Sequence, residues 1–191
     1  MTDVTTTSAL RATGVPDYRI ALRCRPGGPW QRVLPGVVLL SATPPTRAQR
    51  VRAAVAYAGE GAVVTGVDAL RAHGVPLPCP PRVHVLQPAT RRRSGHEHLR
   101  LERTTRPPPP VTKAGIPYAP PARAAADAAR SEHHPIRLHH LLTEVIARGL
   151  CTPDALLTEL AHGSRRGTAA PKAILTTLRA HLPDHSRTDT G

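Results

Sequence analysis

Residues 30–40 read Trp30-Gln31-Arg32-Val33-Leu34-Pro35-Gly36-Val37-Val38-Leu39-Leu40, two apolar runs parted by a Pro-Gly pair. Short Val- and Leu-rich runs bounded by turn residues predict strands, and Pro35-Gly36 supplies the turn or bend that makes them a β-hairpin. Working back from Trp30, Pro26 to Pro29 turn the chain, and the residues before them divide into two short helices. Thr5, Thr6, Thr7 and Ser8 are candidate N-caps for the first helix, which carries Ala9, Leu10 and Ala12 and stops at Gly14. Val15-Pro16-Asp17 restarts the second, with Tyr18, Ile20, Ala21 and Leu22 as its apolar positions, punctuated by Arg19, Arg23 and Arg25. Helix, tight turn, helix and hairpin is the order of a winged helix-turn-helix.

Working forward, Thr46 is an N-cap for a helix that ends at Gly59, with Ala48, Val51, Ala54, Val55 and Ala58 sharing one face and Gln49, Arg50 and Arg52 left outside. Ala62-Val63-Val64 is a short buried run. Thr65 then caps a further helix, with Asp68 as its capping-box partner and Gly74 as its stop. Between residues 75 and 120 prolines multiply. Val83-His84-Val85-Leu86 predicts a strand and His98 to Arg103 a returning one, so that Arg91-Arg92-Arg93-Ser94-Gly95 becomes a hairpin loop. Pro107 to Pro110 predict a stiff extended connection and Ile116-Pro117-Tyr118-Ala119 a last short strand. From Pro121 onward the pattern is helical. It runs through Ala122 to Ala129, then a stripe of Leu138, Leu141, Leu142, Val145 and Ile146, then a helix opened by Thr152-Pro153, then one carrying Ala173, Ile174, Leu175 and Leu178.

The 191 residues suffice for one large or two small domains. Phe is absent and large rings come only from Trp30 and three Tyr, so Ala, Val and Leu must fill thin layers and the stability should be modest. Lys+Arg total 26 against Asp+Glu 13, a formal charge of +13 that attracts polyanions. A GC-rich genome gives the same Arg, Ala and Pro bias whatever a protein does, so charge alone does not decide. Cys24, Cys79 and Cys151 form no Cys-x-x-Cys, which argues against a disulfide framework or zinc ribbon. With no 18-residue apolar run and a polar start, a reducing cytoplasm is the expected location and a membrane is not.

The ordered series from about Val4 to Gly167 resembles the AbiEi-family antitoxins of actinobacteria. The stretches that carry it are Trp30 to Val37, Thr46 to Ala58 with Tyr57-Ala58-Gly59, Ala69-Leu70-Arg71-Ala72-His73-Gly74, Val83 to Leu86, Ala119 to Arg123 with Asp127-Ala128-Ala129, and Arg148 to Thr152. The resemblance implies an N-terminal winged helix that binds operator DNA and represses its own operon, and a following domain that opposes a nucleotidyltransferase-like toxin. Family members carry a full helix before the position of Thr5, where only Met1 to Val4 stand here; either the start lies upstream or the DNA-binding segment is truncated. Longer relatives also continue into a domain resembling restriction-type endonucleases, and this chain stops just after Leu182.

Catalytic patterns find little support. None of the glutamates at 60, 97, 102, 132, 144 and 159 has a Lys two residues on, as a metal-dependent nuclease of that type needs. His133, His134, His139 and His140 with Cys151 lack metal-ligand spacing, and neither a Gly-x-Ser-x-Gly elbow nor a Gly-Lys-Ser/Thr loop occurs. The expectation is therefore a non-catalytic α+β protein without cofactor or metal: a winged helix-turn-helix segment over 1–42, a mixed domain over 43–182 with a small β-sheet and a C-terminal helical segment, and a disordered tail over 183–191. Double-stranded DNA is the expected partner, with a toxin protein as a second. Tyr18, Arg19, Arg23 and Arg25 would meet the groove or its phosphates, Arg32 the backbone or minor groove, and Arg91, Arg92 and Arg93 a phosphate or an acidic protein surface. The rival expectation is a protein-interaction module whose Pro-rich sheet and C-terminal helices bind a partner without specific DNA binding.

Overall fold

Local chemistry sets the first element boundaries. In the computed structural model, which describes residues 3–181, strand β1 (Val4–Thr6) runs directly into helix α1 (Thr7–Ala12), and the Thr6 hydroxyl accepts the Ala9 N–H at 3.1 Å as its N-cap. Gly14, at φ 85°, ends α1: the Val15 N–H reaches Leu10 O and the Gly14 N–H reaches Arg11 O, which is a Schellman stop. Helix α2 (Asp17–Arg23) follows, then strands β2 (Gln31–Leu34) and β3 (Val37–Leu39). Pro35 followed by Gly36 at φ 71° is the type II turn pattern, and a one-residue register shift between Arg32 and Leu34 accommodates it. The expected helix–turn–helix–hairpin order is present, with an unexpected third strand: β1 pairs antiparallel with β3, giving a sheet in the order β1-β3-β2.

Helix α3 (Arg47–Ala58) opens with a capping box in which the Thr46 hydroxyl accepts the Gln49 N–H and the Gln49 side chain accepts the Thr46 N–H. Gln49 also donates to the Asp3 carboxylate, so it is not a free outer residue. The buried face of α3 is Val51, Ala53, Ala54, Tyr57 and Ala58; Ala48 is exposed and Val55 half-buried, so the expected stripe is rotated toward Ala53 and Tyr57. Those residues join Val4, Leu34, Val37 and Leu39 from the first sheet and Val64, Val83, Val85, Leu99 and Ile116 from a second into one hydrophobic cluster. With alanines at the centre, the layers approach closely and need no Phe.

The second sheet has five strands in the order β6-β5-β4-β8-β7, where β4 is Val63–Thr65, β5 Val83–Pro88, β6 Leu99–Thr104, β7 Val111–Lys113 and β8 Ile116–Tyr118. Here the returning strand is a correction: β5 and β6 pair in parallel, from Val83↔Leu99 to Pro88↔Thr104. The ten-residue connection between them therefore runs back along the sheet as extended chain without a helix, and Arg91 to Arg93 lie on that crossover rather than on a hairpin tip. Across the pair, His84 Nε2 lies 3.1 Å from Glu102 Oε2 and Arg100 donates to the same oxygen at 2.8 Å. The His84 hydrogen bond, and then the charges of His84 and Arg100, hold the Glu102 carboxyl at about 2. Pro107 to Pro110 form no regular element, as expected, and are followed by an unexpected strand, β7, joined to β8 by an Ala114-Gly115 turn with φ of 48° and 74°.

The chain divides into two compact units, one running to Val64 and taking up Pro80–Tyr118, the other comprising Thr65–Cys79 and the chain from Ala119 on. The division expected at residue 42 falls inside the first unit, because α3 packs on both sheets. The second unit is helical: α4 (Gly66–Ala72), α5 (Pro121–Ser131), α6 (Pro135–Ala147), α7 (Pro153–Ala161) and α8 (Ala169–His181). Every residue from Arg123 to Ala129 is buried, so α5 is its central helix. Thr65 sits at the N-cap position of α4 but makes no capping bond, contrary to the expected box with Asp68; its hydroxyl is directed to Asp127 of α5. Thr152 caps α7 through the Ala155 N–H, with Pro153 at the first helical position. The expected tail over 183–191 lies outside the described residues. No helix among the described residues is long and apolar enough to cross a membrane.

Candidate nucleic-acid interface

Helix α2 is held by a single buried side chain, Ile20, and α1 buries none. At about 100° per residue, Tyr18 and Leu22 point away from Ile20, and Arg19 and Arg23 form the flanking ridge. The exposure agrees: Tyr18 is 68% and Leu22 50% exposed, and Ala21 is exposed as well, so three of the four expected apolar positions face outward. The other flank of α2 is closed by Asp17, which takes the Arg11 Nε–H at 2.6 Å and so links α1 to α2.

The hairpin is tied to the end of α2. The Trp30 N–H bonds Arg23 O at 3.1 Å and the Gly28 N–H bonds Arg25 O at 2.8 Å. A Cβ at Gly28 would stand 2.4 Å from Arg23 O, so only glycine permits the approach. The Arg23 guanidinium lies 4.6 Å over the Trp30 ring. Arg23 is thus partly a packing residue, though exposed like Arg19, Arg25 and Arg32. Arg32 stands on β2 opposite Val38, at the outer edge of the sheet.

The three crossover arginines do not belong to this element. Arg93 packs on α3, its guanidinium 5.0 Å from the Tyr57 ring and donating to Tyr57 O. Its own carbonyl accepts the Gln87 side chain at 2.9 Å. Arg91 lies 3.9 Å from Glu60, and Arg92 is exposed. Tyr57 also receives this segment through His96, 2.9 Å from its hydroxyl, with the rings edge to face.

Beside Arg32, a groove of about 640 Å³ runs between β2, the start of α3 and the residues before β5. Arg50, Arg82 and His98 line it together with Arg32, and Glu97 is its acidic side chain. Nothing in the sequence singles out Arg50 or Arg82, which are separated by a helix and a strand and lie in no basic run. His98 Nε2 is buried without a partner among the described residues. Burial first, and then the charge of Arg50, push the His98 imidazole below its ordinary value.

The four histidines weighed as ligands, His133, His134, His139 and His140, are all exposed. Among the described residues, no group of three or more His, Cys, Asp or Glu is placed to hold a metal ion. Compared with models of known protein families the chain matches none, and no curated protein matches it in sequence.

Proposed function

We propose that this protein is a DNA-binding regulator in which β1 to β3 with α1 and α2 act as a winged helix-turn-helix, α2 entering the major groove and the β2–β3 hairpin serving as the wing. The observation that carries the reading is the outward face of α2: Tyr18 and Leu22 stand clear of the protein opposite Ile20, with Arg19 exposed beside them. Arg19 can bond guanine in two places, and Tyr18 and Leu22 can meet base edges and thymine methyl groups. Arg25 at the end of α2 and Arg32 on the wing would serve as phosphate contacts.

The reading extends to a non-catalytic cytoplasmic antitoxin-like protein that represses its own operon and opposes a partner toxin. The engagement of its carboxylates supports the non-catalytic part. Asp17, Glu132, Glu144 and Asp154 pair with Arg11, Arg137, Arg148 and Arg179, Glu102 with His84 and Arg100, and Asp127 with two arginines.

The test is an electrophoretic mobility shift with the DNA upstream of the protein's own gene, against a scrambled duplex, at rising salt. Specific retardation lost in Arg19→Ala supports the reading. Arg19 is the cleaner choice, since removing Arg23 also uncovers Trp30. Equal binding to both duplexes that vanishes near physiological salt defeats it and favours the partner-binding module.

A further inference from the structure

The groove beside β2 brings together three guanidinium groups, Arg32, Arg50 and Arg82, whose side chains have no hydrogen-bonding or ion-pair partner among the described residues. Each is carried by a fixed element: Arg32 by the paired strand β2, Arg50 by α3 just after its capping box, and Arg82 by the residue before β5, whose carbonyl accepts Arg47 Nη2 at 3.1 Å. Like charges lining one groove repel unless an anion supplies acceptors, and guanidinium is the side chain best matched to phosphate oxygens. Glu97 is the single carboxylate lining the groove and leaves it net positive. The groove is also not closed. It shares Arg32, Val33, Glu97 and His98 with a second hollow of about 350 Å³ that reaches the Pro35-Gly36 turn. The surface is therefore an open strip along the outer edge of β2, with its arginines gathered at the Arg32, Arg50 and Arg82 end, and an open strip suits an extended polyanion better than a compact one.

We propose that this strip holds the phosphodiester backbone of the DNA flanking the groove read by α2, with Arg50 and Arg82 as backbone contacts continuous with Arg32 on the wing. The proposal rests on the DNA-binding reading above and adds to it a second, sequence-independent foothold.

Fluorescence anisotropy with the full chain tests it, using the upstream duplex and a scrambled duplex of equal length over a series of salt concentrations. Arg50→Ala with Arg82→Ala is expected to weaken binding to both duplexes alike, by about tenfold or more. It should also make the plot of log affinity against log salt shallower by about two, roughly one for each phosphate that the variant leaves without its arginine. The preference for the upstream duplex should not change. Unchanged far-ultraviolet circular dichroism confirms that the variant folds. If affinity and slope stay at wild-type values while Arg19→Ala still abolishes the preference, the strip is overturned and the DNA-binding reading stands. If the slope falls in the double variant but neither duplex is preferred, the strip stands and specific reading by α2 fails. Wild-type protein that binds neither duplex overturns both. Inorganic phosphate that raises the melting temperature of the wild type but not of the double variant, with duplex binding unaffected, identifies a small-anion pocket and overturns the proposal.

Discussion

The hydroxyl of Thr65 donates to Asp127 Oδ2 at 2.7 Å, inside the helical unit and away from solvent. The same carboxylate takes Arg123 Nε at 2.9 Å and, through its other oxygen, Arg130 Nη1 at 3.1 Å. Arg130 in turn donates to the carbonyls of Glu159 and His162 at the end of α7, so one carboxylate orders three elements. Removing a partner from a buried charge network leaves the other charges uncompensated. Asp127→Ala is expected to lower stability by about 3–5 kcal/mol, and Thr65→Val by about 1 kcal/mol, both read from urea unfolding.

Ile20 is the one buried residue of α2. Truncation to Ala should cost about 2–4 kcal/mol locally while leaving the α3-centred cluster intact. Hydrogen exchange is the direct measure: amides of α1 and α2 should exchange much faster in Ile20→Ala, and those of α3 and α5 should stay protected. Equal acceleration throughout would mean that α2 is integral to global stability.

Glu102 gives the β5–β6 pair an acid sensitivity. Its folded carboxyl lies near 2 against an ordinary 4.5, so the stabilisation from His84 and Arg100 is present above about 4.5 and is lost as pH falls toward 2. The side chain is 41% exposed, so solvent screens the effect. Melting temperatures measured from pH 5 to pH 2 should fall less steeply in Glu102→Gln than in the wild type.

The β7–β8 turn places Ala114 at φ 48°, a left-handed conformation that costs an L-residue about 1 kcal/mol or more. A Cβ at the neighbouring Gly115, at φ 74°, meets nothing within 4 Å, so strain there is purely conformational. Ala114→Gly should raise the melting temperature, and Gly115→Ala should lower stability by about 1 kcal/mol. Two variants of opposite sign in one turn make differential scanning calorimetry decisive.

Burial pushes the Cys151 thiol up to about 11, whereas Cys79 is exposed. At pH 8, iodoacetamide should label Cys79 well before Cys151, as mass spectrometry of tryptic peptides would show.

Legibility from sequence followed the range of the interactions. Stops and caps such as Gly14, Thr46 and Thr152-Pro153 act within four residues and are readable as spacing. The Leu34–Val37 turn is equally local. By contrast, alternation along Leu99 and Leu101 is the same whichever way a strand runs, so β6 reads as a returning strand although it is parallel. The three-residue strands β1 and β7 are too short for a period to register, and their partners lie elsewhere in the chain. Thr65 with Asp68 has the spacing of a local box, and only the fold reveals that Asp127 takes the hydroxyl. The face of α2 is readable as a basic helix, but the outward turn of Tyr18 and Leu22 depends on how little lies beneath it. Arg50 and Arg82 become neighbours only through the packing of β5 beside α3.

The parallel pairing of β5 and β6 makes the crossover a tether with length to spare. Six residues of strand advance about 20 Å, at ~3.3 Å each, and ten residues must cover that distance in reverse while lying against Tyr57. Gly95 has no room to spare, since a Cβ there would stand 2.7 Å from Leu99 O. Fully extended, ten residues could reach about 33 Å, so the register of β6 on β5 is held by the ladder and by Leu99 in the core rather than by a taut connection. Its length can therefore vary more freely than its anchors: Arg93 and His96 on Tyr57, and Gly95 against Leu99, fix the course on which Arg91 and Arg92 are carried.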